Sequence, residues 1–230
     1  MTAPAAPSSR TRVRRLPDRA HYDANAINAI VDAAIICSVA FQINGAVHAI
    51  PTIHWREGEH LYIHGARASR ILKALTHGEA CITIALADGL VLARSAMHHS
   101  MNYRSVVIYG QFEPVTDPVE KQRSLRVFID GLYPGRWDAL RPINDKELNA
   151  TGVLRIPLTE ASAKVRDWGV KDDEEDLDWP VWAGVIPLDT VVGMPRTEDD
   201  SIVGTVPSTR FSPRQITTST LRNRFDHNAP

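Results

Sequence analysis

Short apolar runs separated by turn residues make up most of this chain, and helical periodicity occurs in only a few places. Apolar positions at helical spacing predict a helix over 23–36, with Asp23 as its N-cap. Further helices are expected over 68–76, 118–131 and 145–150. The remaining apolar runs are short and typical of β-strands.

Turn signals between these runs predict hairpins. Asn44-Gly45 separates CSVAFQI from AVHAIPTIHW, and Asp88-Gly89 separates ACITIALA from LVLARSAM. Later strands are expected at SVVIYGQFEPV, VLRIPL, AKVRDWGV and VWAGVIPL. There is no βαβ alternation and no GxGxxG motif, which argues against a Rossmann domain. The pattern predicts a mainly β fold with flanking helices, built as a small antiparallel barrel with helices packed on its outside.

Composition narrows the class of protein. The 230 residues are 43% hydrophobic and 23% charged, with a net charge of −1, so no overall field favours nucleic acid or an acidic membrane. Cys37 and Cys81 lie inside apolar runs, which indicates two buried thiols rather than a disulfide framework. No secretory signal and no run long enough for a transmembrane helix is evident. We expect a cytoplasmic protein.

The two ends of the chain differ from its middle. Residues 1–15 are rich in Ala, Pro, Ser and Arg and predict a disordered N-terminal arm. No aromatic platform accompanies the arginines near the start, so we favour a solvated arm over one that binds nucleic acid. Residues 197–230 are rich in Ser, Thr, Arg and Pro and predict a mobile or partner-clasping tail. Residues 16–196 are then a single domain.

The segment LYIHGARASRILKAL, residues 61–75, predicts an anion site. A strand ends in a His-Gly turn and continues into a helix that opens with Ser69 and Arg70. The helix N-terminus would supply backbone N–H groups, the serine a further donor, and the guanidinium a charged fork. A capped helix with a surface arginine is the alternative, and this segment alone does not decide between the two.

A polar block between two apolar runs, DGLVLARSAMHHSMNYRSVVIYG (88–110), is the second candidate for chemistry. Polar side chains between strands are costly unless they are used. His98 and His99 would point to opposite faces of an extended chain, so at most one can face a given ligand; both are kept as catalytic candidates. Ser105 is expected on the face opposite to Arg104. A metal or haem would need further ligands, which no spacing of the other histidines compels.

Two more observations bear on the chemistry. Trp182, beside Ala183-Gly184, is either a core ring on a shelf of small residues, which we favour, or an edge-on partner of a flat ligand. The chain has no GxSxG motif, which leaves a hydrolytic triad with little support. It also has no CxxC or HExxH spacing, and the sequence predicts no metal site.

The order of these segments resembles a known family. A helix followed by SVAFQINGAVHAIPT, LYIHGARASRILKAL, the polar block, VEKQRSL and VWAGVIPL is similar to the flavin-nucleotide-binding branch of the pyridoxamine 5′-phosphate oxidase-like superfamily, which includes nitroimidazole-resistance (Nim-type) proteins. The resemblance runs from about Arg15 to Met194, and LYIHGA followed by NYRSVVIYG is fairly specific. It implies an FMN-binding split β-barrel that forms a homodimer, with FMN in two clefts at the subunit interface.

The resemblance also implies which residues hold the cofactor. The flavin ring would run along the strand over 47–52, where backbone groups meet its edge, and the phosphate would lie at the strand end and helix start. Ser105 would contact the ring or the ribityl chain, while Trp182 and one of the paired histidines would shape the substrate face. The FMN-binding residues expected on this basis are His48, Ala49, Ile50, Pro51, Thr52, Tyr62, Ile63, His64, Ser69, Arg70, Ser105 and Trp182.

The chain departs from the family pattern where phosphates are held. Pyridoxamine phosphate oxidases proper have arginine and lysine at the ends of the flavin strand, where this chain has Val47 and Thr52, and a basic residue where it has Ile71. Their arginine–histidine substrate motif is absent around residues 194–196. Vitamin B6 oxidation is therefore not expected. Fewer phosphate cations would mean weaker FMN retention, or recruitment of a histidine instead.

Our interpretation is a homodimeric FMN-binding oxidoreductase that reduces a small molecule, such as a nitroaromatic or a quinone, through flavin N5. Two alternatives stay open at this point. One is a flavin-binding sensor or carrier without turnover, because no obligatory acid or base is evident. The other is a split barrel that holds the deazaflavin F420 or haem.

Overall fold

The computed structural model describes residues 5–198, and their strands and helices follow the predicted order. The strands are β1 (Ala20–His21), β2 (Ile36–Ile43), β3 (Ala46–Ile53), β4 (Trp55–Glu57), β5 (His60–Ala66), β6 (Glu79–Leu92), β7 (Ser100–Gln111), β8 (Glu113–Pro114), β9 (Thr151–Pro157), β10 (Ala161–Arg166) and β11 (Gly184–Pro187). The α-helices are α1 (Ala24–Ala33), α2 (Arg70–Leu75), α3 (Pro118–Leu132), α4 (Arg136–Ala139) and α5 (Asp145–Ala150). Short 3-10 turns lie at Pro17–Arg19, Ala96–His98 and Glu174–Asp176.

Two antiparallel sheets carry the fold. The larger has the strand order β1-β10-β7-β6-β2-β3, with β11 paired to the second half of β6. The smaller has the order β4-β5-β9-β8. The chain passes from the first sheet to the second at His54, between β3 and β4. This mainly β arrangement of two sheets with flanking helices confirms the predicted fold class, although neither sheet closes on itself within the described residues.

Two apolar cores hold these layers together. In the main core, alternate residues of the large sheet, such as Val39, Ile82 and Ile108, pack with side chains from β5, β9 and the inner faces of α1 and α2. A smaller core under α3 contains Trp55 and Phe128. The period-two alternation of buried and exposed positions is the pattern from which the strands were predicted.

The first helix is shorter than predicted. Asp23 is its N-cap, as expected, and its Oδ1 accepts a hydrogen bond of 2.8 Å from the Ala26 N–H. The helix ends at Ala33, however, and Ile36 already pairs with Ile53 in the first hairpin. The apolar run continues across this boundary, and hydrophobic spacing alone does not reveal where helix changes to strand.

The predicted turn at Asp88-Gly89 is wrong. Strand β6 runs unbroken through this point, with a β-bulge between Ala87 and Gly89. The bulge turns the Asp88 carboxylate toward Arg104, whose Nε and Nη2 donate to it at 2.8 and 2.6 Å. Both side chains are almost buried. The Asp-Gly dipeptide therefore forms no turn here, and its aspartate belongs to a buried ion pair.

Gly89 itself is required by the approach of β11. A Cβ atom at this position would lie 3.0 Å from Val185 Cγ1 and 3.1 Å from the Ile186 carbonyl oxygen. Because one of these neighbours is backbone, it cannot move aside by a rotamer change. The glycine therefore marks a close contact between strands, which is the other common meaning of a glycine within a strand pattern.

Residues 5–15, part of the predicted disordered arm, contact the barrel. Arg10 pairs with Glu79 at 2.9 Å and with Glu160 at 3.2 Å, and the Ser8 hydroxyl donates to Glu160 at 2.7 Å. Thr11 is buried. These contacts do not fit a disordered arm over residues 5–15. Residues 1–4 and the predicted tail from residue 199 onward lie outside the described residues.

Cys37 and Cys81 are both unpaired thiols, as predicted. Cys37 is buried, whereas Cys81 is only half-buried. Burial raises the pKa of the Cys37 thiol to about 12, so it stays protonated at neutral pH. Among residues 5–198, no helix is both long enough and apolar enough to cross a membrane.

Candidate cofactor site

Strand β3 is an edge strand, paired with β2 on one side. Its other side offers backbone N–H and C=O groups to a ligand. Pro51, which cannot donate a hydrogen bond, is tolerated at such an edge. Ala49 and Pro51 are exposed on one face, while His48, Ile50 and Thr52 are half-buried on the other. The strand can thus present backbone groups to the edge of a flat ring, as the resemblance implies.

The two histidines expected near the cofactor are both packed against aromatic rings. His48 stacks on Phe41 with ring centroids 5.5 Å apart. The His64 ring lies 4.8 Å from Phe128, and its Nδ1 is buried without a hydrogen-bond partner. Burial lowers the pKa of His64. This imidazole is therefore neutral at neutral pH and does not supply the phosphate cation that the sequence lacks.

Tyr62 and Ile63 are core residues. Their side chains are 4% and 2% exposed, and the Tyr62 ring stacks on Trp55 with centroids 5.6 Å apart. Both residues also lie in the small sheet, where Tyr62 sits between Trp55 of β4 and Arg155 of β9 and Ile63 is paired with Leu154, so the structure does not present them to a ligand.

The expected phosphate residues lie at the start of α2. Ser69 is the N-cap of this helix, and its Oγ accepts a hydrogen bond of 3.2 Å from the Ile71 N–H. The helix has only six residues, so its dipole is smaller than the sequence suggested. Arg70 is exposed and forms no hydrogen bond or ion pair with any other residue in 5–198. Arg67, which the sequence argument passed over, is also exposed with an unpaired side chain.

Small side chains line one face of the central strands of the large sheet, which we call the outer face. Ser38, Thr83, Ala85 and Ala87 are exposed on it, and Ala40 is half-exposed. The register of β2 and β6 places these residues in adjacent rows. A flat, exposed surface of small residues allows close packing of another layer.

Ser105 lies on the outer face beside Ala85, and its Oγ donates to the Lys164 carbonyl at 3.3 Å. Arg104 points to the other side, as predicted. Three strand spacings separate β7 from β3, or about 14 Å at about 4.8 Å per strand. A single chain therefore does not bring Ser105 to the flavin strand.

Large apolar side chains are exposed at one end of the sheet. Ile186, Leu90 and Met101 lie side by side on β11, β6 and β7. Their exposure is 43%, 38% and 42%, while Met97, in the loop between β6 and β7, and Trp182, two residues before β11, reach 89% and 61%. We call these five residues the distal patch. The prediction that Trp182 is a core ring is wrong, because the residue is 61% exposed, although its indole does cover a small residue, Gly184, where a Cβ would lie 2.6 Å away.

The paired histidines lie in the loop between β6 and β7, next to the distal patch. His98 ends a 3-10 turn, so the two residues are not extended as the sequence argument assumed. His98 Nε2 lies 3.1 Å from Asp173 Oδ2. His99 Nδ1 lies 2.9 Å from the Ser95 carbonyl oxygen. Because a carbonyl only accepts hydrogen bonds, His99 Nδ1 carries the hydrogen, and Nε2 of the neutral ring is left with a free lone pair.

Comparison with known proteins identifies the family. Residues 23–165, more than half of the chain, match the family described as pyridoxamine 5′-phosphate oxidase. The chain belongs to this family. The superfamily resemblance seen in the sequence is thereby confirmed. No protein with a curated description matches the chain.

Solved structures with the same fold refine this placement within the pyridoxamine 5′-phosphate oxidase family. The flavocytochrome Anf3 from Azotobacter vinelandii is 45% identical, with a TM-score of 0.84 over 86% of this chain and 93% of its own. The FAD and haem binding protein from Mycobacterium smegmatis is 32% identical, with a TM-score of 0.78 over 83% and 95%. A candidate 5-nitroimidazole antibiotic resistance protein from Bacteroides thetaiotaomicron is 22% identical, with a TM-score of 0.55 over 64% and 86%, and shows the shared fold alone.

The sequence alone did not reveal which residues bind the polar side chains of the block 88–110. Arg94 Nη1 donates at 2.7 Å to Asp172, whose side chain is only 1% exposed. Asn102 is buried and accepts a hydrogen bond from Arg166. The signal was present as charges of opposite sign, but the partners are up to 78 residues apart in the chain. The pairing of β7 with β10 brings Asn102 and Arg166 together, whereas Arg94 and Asp172 meet through two loops.

Proposed function

We propose that this member of the pyridoxamine 5′-phosphate oxidase family binds a flavin nucleotide and a haem and passes electrons to a small substrate. The observation that carries the proposal is the likeness, over most of both chains, to a flavocytochrome and to an FAD and haem binding protein. A flavin supplies hydride and one-electron chemistry at N5, and a haem supplies one-electron chemistry at iron. The protein's own residues would bind and orient both groups.

Two features of the structure support the proposed flavin nucleotide. The free edge of β3 can meet the rim of the ring, and Arg70, which has no ion-pair partner among residues 5–198, is a cation for a phosphate, with the Ser69 hydroxyl beside it. Ser105 completes this site only from a second subunit, because the same chain holds it about 14 Å from β3. We therefore propose a homodimer with the flavin at the interface of the two outer faces. The resemblance favours FMN, whereas the Mycobacterium smegmatis relative binds FAD.

The paired histidines and the distal patch fit a haem better than they fit acid–base catalysis. The hydrogen bond from His99 Nδ1 to the Ser95 carbonyl orients the ring and leaves the Nε2 lone pair available to a metal. Imidazole oriented by such a bond is a common iron ligand. His98 is occupied by Asp173. The exposed apolar side chains of the distal patch suit the flat face of a porphyrin. We propose His99 as the iron ligand.

The proposed substrate is a small reducible molecule of the nitroaromatic or quinone type. A bound flavin would supply the electrons for such acceptors, and solvent can supply the protons. The test is to reduce the purified protein with NAD(P)H and to follow reoxidation by a nitroaromatic or a quinone. If NAD(P)H reduces the protein but neither acceptor speeds its reoxidation, the protein is a carrier or a sensor and not a reductase of such molecules.

Cofactor content tests the proposal directly. The purified full chain should show both flavin absorbance and a Soret band, and chromatography of the denatured extract should identify the nucleotide as FMN or FAD. Protein that carries neither group and fails to bind added FMN, FAD or haemin would refute the proposal.

Two substitutions assign the cofactors to their residues. Arg70→Glu should weaken flavin binding by more than tenfold, because a repulsive charge replaces an attractive one, and should leave the Soret band unchanged. His99→Ala should remove the Soret band and leave the flavin. The matched control is His77→Ala, because His77 Nδ1 also binds the carbonyl four residues earlier, at 2.6 Å, on an exposed turn elsewhere. A Soret band that survives His99→Ala would place the iron ligand elsewhere.

A further inference from the structure

Trp168, just beyond the end of β10, is surrounded by three cations. The Arg19 guanidinium carbon lies 4.8 Å from the centroid of the indole ring, that of Arg166 5.0 Å, and Lys171 Nζ 5.9 Å. Each cation comes from a different place: a 3-10 turn, the end of β10 and the loop that follows. The ring attracts each of them, but it does not cancel their mutual repulsion.

Arg166 is the buried member of this cluster. Its side chain binds only neutral acceptors, namely the Asn102 amide oxygen and, at 2.8 and 3.0 Å, the carbonyls of Trp168 and Gly169. The residue is 3% exposed, and its buried Nε has no hydrogen-bond partner. Burial and the nearby Arg19 lower the pKa of Arg166. A buried charge without a counter-ion is costly, so something must compensate for it.

The charge of Asp167, the next residue in the chain, favours the charged form of Arg166, but no carboxylate among the described residues forms an ion pair with this side chain. None of the three cations forms an ion pair within residues 5–198. Asp167 next to Arg166 is exposed to solvent. The first acids after Lys171 are already taken, Asp172 by Arg94 and Asp173 by His98. The cluster therefore keeps an excess of positive charge beside an aromatic ring.

We propose that Arg19, Arg166 and Lys171, gathered around Trp168, form an oxyanion-binding site for a phosphate or carboxylate group of a ligand. The guanidinium groups supply forked donors to the oxygen atoms, and the lysine supplies a point charge. Two ligands of the proposed function carry such groups: a flavin dinucleotide has a pyrophosphate, and a haem has propionates. The choice between the pyrophosphate and the propionates rests on the proposed function, but the existence of the oxyanion site does not.

Inorganic pyrophosphate is the first probe, titrated into the full chain at constant ionic strength and followed by tryptophan fluorescence. Binding should be saturable, and Trp168→Phe should remove most of the signal. The double variant Arg19→Gln/Lys171→Gln changes only the exposed and half-exposed cations and should weaken binding at least tenfold. Arg136→Gln/Lys146→Gln removes the same charge from exposed positions on α4 and α5 and should have no effect.

No saturable binding, or equal weakening in both double variants, would overturn the proposal, and melting curves check that both variants are folded. FAD and haemin titrations then identify the source, because only the ligand whose oxyanion enters the site should bind the Arg19→Gln/Lys171→Gln protein more weakly than the control. If the protein binds neither cofactor, the proposed function fails, but the pyrophosphate result still reports on this site.

Discussion

Single residues of the polar block are explained by charge pairing inside the fold. Asp88 and Arg104 form a two-bond ion pair whose side chains are 13% and 6% exposed. Such a pair contributes little compared with apolar packing, but its halves depend on each other, because either charge alone would be buried without a partner. The cost therefore appears when only one half is removed.

Asp88→Ala should destabilise the protein by about 3–5 kcal/mol, because it leaves the Arg104 guanidinium buried and uncompensated. For a chain of this size the melting temperature should fall by roughly 6–20 °C. Calorimetry or a thermal melt measures this directly. Glu175→Ala, in the exposed acidic loop, is the control and should change stability by less than about 0.5 kcal/mol. A loss for Asp88→Ala no larger than for the control would mean that Arg104 is not buried as a charge.

The residue scale also shows how far a sequence can lead. Opposite faces for Arg104 and Ser105 follow from the period of a strand, and the structure has them so. The partners of Arg94 and Arg104 could not be predicted, because they depend on a bulge and on a loop many residues away. The exposure of Trp182 could not be predicted, because a tryptophan beside small residues suits a core and an exposed patch equally well.

At the scale of elements, most strands and helices could be predicted and their junctions could not. The Asn44-Gly45 hairpin is present, with positive φ at both residues, and α3 begins at Pro118 as the spacing predicts. The bulge in β6 was not predicted, because an Asp-Gly dipeptide is typical of a hairpin turn and also occurs at a bulge within a strand. Strand β11 depends on this bulge, since it pairs with β6 from Gly89 to Leu92.

Gly89→Ala should loosen β11 without unfolding the barrel. The added methyl group would lie 3.0–3.1 Å from Val185 Cγ1 and the Ile186 carbonyl oxygen, a strain of about 1–3 kcal/mol. Hydrogen exchange should then speed up in peptides that cover β11 and remain slow in β7. Gly193→Ala adds the same methyl group where nothing lies within 4 Å and should leave exchange unchanged. Equal protection of β11 in both variants would contradict this packing.

At the scale of the molecule, the outer face connects the fold to the proposed flavin site. Its small, exposed side chains form a flat surface, while the expected ring-binding groups on β3 and β7 are about 14 Å apart in one chain. Two such faces packed together would cover the surface and bring the β7 of one subunit toward the β3 of the other. A stable interface of this kind needs about 800 Å² from each subunit, which a sheet face can supply.

Ala85→Arg places a long charged side chain at the centre of this face and should convert a dimer into a monomer at micromolar concentration. Sedimentation or light scattering measures the mass, and flavin content should fall together with it, because the site needs both subunits. Ala139→Arg makes the same change on exposed α4 and should stay dimeric and keep its flavin. If the Ala85→Arg protein is a monomer that keeps its flavin, the cofactor lies within one subunit. An unmodified protein that is already a monomer would refute the proposed homodimer.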